Sequence, residues 1–165
     1  MIFFRHYGLA AVLGLVCWSG YANATLGQAQ DSIETDRLNM GAVRQSAGAG
    51  AVTMRAAASG SYTVQQIALT DSTVVREYVN VSGVVFGVAW QGASIPPLRQ
   101  VLGDEALAQT QAAYQAQQAV TPRRGPVYVA TDAIVFHSGG HPQAFVGSAY
   151  VPRLLPAGVS PSDIR

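Results

Sequence analysis

Asp132, His137 and His141 lie close together in the chain and offer one carboxylate and two imidazoles, the ligand types of a transition-metal site. A metal-assisted hydrolase is the chemistry they could support. Their spacing argues otherwise. Three residues between two histidines align them on one face of a helix, but those residues here are Ser138, Gly139 and Gly140. A hairpin turn at Gly139 and Gly140 is the expectation, with His137 and His141 sent to opposite sheet faces.

The other candidate groups meet similar objections. Ser138 next to His137 lacks a G-x-S-x-G elbow and an orienting acid, and neighbours on a strand point apart. Arg123 and Arg124 could meet a phosphate or an acidic partner, yet before Gly125 and Pro126 they read as a solvated turn. Trp90, Tyr78 and Tyr150 could line an aromatic ligand groove, although aromatic rings also fill ordinary cores. No stretch has a cofactor-binding pattern, and GVVFG at 83–87 is not a phosphate loop.

The elements that must position these residues begin with a hairpin over 73–92. With Ser82 and Gly83 as a two-residue loop, Val81 faces Val84, Val79 faces Phe86, Glu77 faces Val88 and Val75 faces Trp90. One sheet face then gathers the large apolar groups, and the other is polar or small. Glu77 falls on the apolar face, where a carboxylate needs an arginine, a place at the sheet margin or a functional role.

A first strand over 62–69 completes a meander. Pro96 and Pro97 stop the ladder, and 98–102 forms one apolar turn. A helix with a thin stripe of Leu107 and Tyr114 runs from Gly103-Asp104 to about 118. Three more strands follow at 126–131, 133–137 and 142–150, with Ile134 facing Phe145 across the Gly139-Gly140 loop. Upstream, 31–45 reads as a short amphipathic helix containing Ile33, Arg37, Met40 and Val43, and 46–61 as an Ala/Gly-rich connection.

Residues 1–24 have the layout of a secretory signal: Arg5 and His6, an apolar run over 8–18, and Ala22-Asn23-Ala24 as a cleavage site. Cleavage removes Cys17, so the remaining chain has no thiol for a disulfide, a metal or nucleophilic attack. There is no lysine, which excludes Schiff-base and P-loop lysine chemistry. Without Arg5, nine arginines balance nine acidic residues, which argues against a nucleic-acid surface. No membrane span is expected after cleavage.

VVREYV at 74–79, VVFGVAWQG at 84–92, PLRQVLG at 97–103, HSGGHPQAFVGSAYVP at 137–152 and LLPAGVSPSDI at 154–164 together resemble the small exported bacterial proteins of the domain of unknown function 2844 family. The resemblance implies export in a Gram-negative cell and a periplasmic or envelope location, and it brings no catalytic residue. The family pattern has Pro-Asp before the apolar helical turn, where this chain has Pro96-Pro97.

The expected architecture is α+β: an N-terminal helix and linker over 25–61, then a domain over 62–165 with a meander of about three strands, a helical crossover and a second meander of about three strands. One curved antiparallel sheet with helix on one face is favoured over two separate three-strand layers. The expected function is a non-catalytic envelope protein that binds an unidentified envelope partner, without cofactor or nucleic acid. The alternatives are a small-molecule or lipid binder at Trp90, Tyr78 and Tyr150, and a metal-assisted hydrolase at Asp132, His137 and His141.

Overall fold

A computed structural model describes residues 26–40, 55–56, 60–122 and 124–165. The expected leader, most of the Ala/Gly connection, the end of the upstream helix at 41–45, and Arg123 lie outside the described residues.

The chain is a mixed α+β protein built on one antiparallel sheet. In chain order the elements are α1 (Ser32–Asn39), β1 (Arg55–Ala56), β2 (Tyr62–Ala68), β3 (Val74–Asn80), β4 (Val85–Gly92), α2 (Leu98–Leu102), α3 (Asp104–Val120), β5 (Val127–Ala130), β6 (Val135–His141) and β7 (Ala144–Tyr150). The strand order is β1-β2-β3-β4-β7-β6-β5, so β5 ends the sheet on one side and the two-residue β1 on the other. No helix among the described residues is long and apolar enough to cross a membrane.

The expected pairing holds along most of the β3–β4 hairpin: Val75 faces Trp90, Glu77 faces Val88 and Tyr78 faces Gly87. It then slips, because Val79 faces Val85 and not Phe86. The extra residue is a β-bulge, and it turns Phe86 to the face of Tyr78 and Ala89 while Val85 joins Val88 and Trp90. The loop is correspondingly longer. Val81 is 81% exposed, and the Asn80 side-chain oxygen accepts from the Ser82 and Val84 N–H groups, both at 3.0 Å. Gly83 remains a turn residue, with φ of +75°.

The bulge corrects the expectation of one polar face. Trp90, Val75, Val88, Val129, Phe136 and Ala149 form the larger cluster, against which Leu98, Leu107 and Tyr114 of α2 and α3 pack. Tyr78, Phe86 and Ala89 form a smaller cluster on the opposite face, covered by Leu154, Leu155, Val159 and Ile164 from the tail. The tail is held because the Tyr78 hydroxyl donates to the Arg165 carbonyl at 2.8 Å and accepts from the Arg165 N–H at 3.0 Å. Burial pushes the Tyr78 phenol above its ordinary value, and the bond to Arg165 opposes that shift.

Glu77 is completely buried in the sheet interior between Gln65 and Val88, so it is not at a margin. The N-terminal segment is also integrated. Leu26 and Ile33 belong to the larger cluster, and the Gly27 N–H donates to the Val85 carbonyl at 2.8 Å.

The second correction concerns Gly139 and Gly140, which lie inside β6 facing Val146 and Phe145. The turn falls at Pro142 and Gln143, with Gln143 at φ of +69°. Pro142 supplies a fixed negative φ before that positive one, the combination of a type II turn. Phe145 therefore faces Gly140 and not Ile134. Gly140 has φ of +120°, and a β-carbon there would run into the Ala144 backbone, so close approach explains this glycine.

Candidate partner-binding edge

The candidate metal trio is not brought together. Asp132 lies in the β5–β6 turn and His141 at the far end of the seven-residue β6, a separation of roughly 20 Å at about 3.3 Å per residue. His137 is exposed partway along the strand, while Ser138 is buried on the other face, so the Ser-His pair is not assembled either. Among the described residues no three His, Cys, Asp or Glu side chains cluster as a metal site would require.

The aromatic groove does not form in the expected place. Trp90 is 1% exposed in the larger cluster, and Tyr78 belongs to the cluster on the other face. Tyr150 shares the face of Tyr78, but Gly87 stands between them in the cross-strand row. Ile164 lies directly over Gly87. Burial raises the Tyr150 phenol above its ordinary value, and the neighbouring Tyr128 phenol adds to the shift.

Open surface is found instead at β5. The Thr131 N–H donates to the Ile134 carbonyl at 2.9 Å, continuing the ladder in which Val129 faces Phe136 and Val127 faces Ser138. Antiparallel ladders alternate, so Val127, Val129 and Thr131 turn their backbone groups toward β6. Tyr128 and Ala130 turn theirs toward the outer edge, where no strand among the described residues pairs with β5. Pro126 follows the same parity, where its missing N–H leaves no inward bond unmade.

Beside this edge, α3 and β5 enclose a groove of about 540 Å³ lined by Tyr114, Gln117, Gln118, Val120, Pro126 and Tyr128, among others. Gln118 Nε2 donates to the Tyr114 hydroxyl at 2.7 Å, fixing one wall. Val120 is 84% exposed and Tyr128 59%. Such large apolar groups beside unpaired strand backbone make a surface on which an extended peptide can add a strand. Charges flank it: Arg124 precedes β5, Asp132 follows it, and both are exposed.

Tyr114 on the helix stripe and a strand at 126–131 are both legible in the sequence, but their adjacency is not. The available signal was Val120, an apolar residue ending a polar stretch of helix a few positions before the strand.

The family described as protein of unknown function (DUF2844) matches residues 22–164. No curated protein and no solved structure matches the chain.

Proposed function

The chain belongs to the DUF2844 family, and on that premise we propose that it is an exported, non-catalytic envelope module that captures an extended segment of another protein along β5. The observation that carries this reading is the outward-turned backbone of Tyr128 and Ala130 beside an apolar groove. Backbone bonds would supply affinity, and side chains entering the groove would supply selectivity. We read the sheet as two meanders, β2–β4 and β5–β7, joined through β4 and β7, with the N-terminal helix outside that arrangement. Export is inferred from the leader layout of residues 1–24.

Tyr128→Pro tests the capture. It removes an outward N–H without touching the ladder to β6, so the fold should persist while the strand partner is lost. Affinity purification of the tagged chain from cross-linked envelopes should recover a partner with the wild type and at least tenfold less with the variant. Equal recovery would overturn the reading.

A neutral small molecule held in the same groove is the second reading, favoured by the amides of Gln117 and Gln118 beside the Tyr114 and Tyr128 rings. Ala130→Pro, at an outward-turned position that does not line the groove, would abolish strand capture and leave such a ligand bound.

A further inference from the structure

We propose that the β5 edge pairs with the β5 edge of a second copy of this chain, about a two-fold axis passing beside Tyr128. The inference rests on the strand-capture reading and names one partner for it. Three observations carry it.

The first is backbone compatibility. An antiparallel two-fold at Tyr128 sets Tyr128 opposite its own symmetry mate and Ala130 opposite Pro126. Tyr128 and Ala130 both direct N–H and C=O groups outward. The two tyrosines exchange a pair of N–H to carbonyl bonds, and each Ala130 N–H meets a Pro126 carbonyl. The donor that proline lacks costs only the reciprocal bond at each end.

The second is charge complementarity. Arg124 and Asp132 lie four positions either side of Tyr128, both exposed. The same two-fold places Arg124 of each copy opposite Asp132 of the other, giving two opposite-charge pairs. A two-fold shifted by one residue, beside Val129, would move both charges away from each other. Exposed pairs add little affinity, but they select the register.

The third is the lack of charge or irregularity within the strand: of the usual devices against pairing, β5 has its short length and the flanking Pro126 but no charged residue and no bulge. Edge strands commonly carry lysine, an inward charge or a bulge that prevents pairing. β5 reads Val127-Tyr128-Val129-Ala130, with no charge, and its pairing to β6 is regular. The groove beside it adds apolar area, which four hydrogen bonds alone would need in order to hold a dimer.

Sedimentation equilibrium of the purified chain tests this with charge reversals at exposed positions that do not endanger folding. The wild type should dimerise. Arg124→Glu alone and Asp132→Arg alone each place like charges opposite one another twice and should weaken the dimer by about tenfold. An equimolar mixture of the two variants restores both opposite-charge pairs, so it should dimerise like the wild type. A monomeric wild type, or a dimer indifferent to both reversals, overturns the self-pairing. Strand capture is judged separately by Tyr128→Pro: a monomeric wild type whose envelope partner is lost in that variant keeps capture and rejects self-pairing.

Discussion

The indole of Trp90 lies against the backbone of Gly147 on the neighbouring strand, so closely that a β-carbon at 147 would overlap its six-membered ring. Phe136 flanks the same indole, with ring centroids 5.8 Å apart. This contact locks β4 to β7, the junction between the two halves of the sheet.

Gly147→Ala should therefore destabilise the fold by about 1–3 kcal/mol through overpacking, seen as a melting temperature lower by roughly 5–10 °C. Ser148→Ala, on the opposite face, should stay within about 0.5 kcal/mol. Calorimetry of the two variants checks this. A melting temperature for Gly147→Ala equal to that of the wild type would mean that the indole does not rest there.

Tyr78→Phe should free the tail. It deletes both bonds to Arg165, at a cost of about 1–3 kcal/mol, and exposes Phe86 and Ala89 once Ile164 lifts. Limited proteolysis should then cut the tail first. Because burial raises the Tyr78 phenol, its contribution is complete below the unfolded value near pH 10 and is lost as pH rises through the higher folded value. The alkaline loss of stability should accordingly be shallower in a variant that leaves Tyr78 solvated, such as Ile164→Ala, because the phenol then titrates alike in the folded and unfolded chains.

Acid stability should depend on Asp71. The Ser94 hydroxyl donates to one of its carboxylate oxygens, and the Thr73 N–H donates to the other at 2.9 Å. These bonds, the Ser94 contact foremost, hold the Asp71 carboxyl below its ordinary value. The stabilisation is thus present above about pH 4 and fades as pH falls through the lowered value. Asp71→Ala should cost about 1 kcal/mol at neutral pH and less once Asp71 is protonated, because a neutral carboxyl accepts these bonds more weakly. Urea titrations from pH 7 down through the acid range provide the comparison, and a cost that stays the same throughout would show that the charge is irrelevant.

Much of the sheet was legible because alternation is a local signal: Val75 facing Trp90 and Glu77 facing Val88 follow from burial of one face. Phe86 was misplaced because one bulged residue reverses facing without altering composition. Gly139-Gly140 read as a turn because glycine pairs usually make one. Here close approach to the β7 backbone calls for glycine at 140, while Pro142 and Gln143 form the turn. The site was the least legible part, since it depends on strand order. Nothing local distinguishes β5 from β6, and only the sheet topology makes Tyr128 an edge residue.

The most direct test of the β5 edge is site-specific photo-cross-linking in living cells, with the reactive residue at position 130 and a second at position 81, in the exposed β3–β4 turn on the far side of the sheet's centre. Adducts from position 130 that are absent from position 81, and that disappear when Tyr128→Pro is added, are the predicted result. Adducts equal at both positions, or unchanged by the proline, would contradict strand capture.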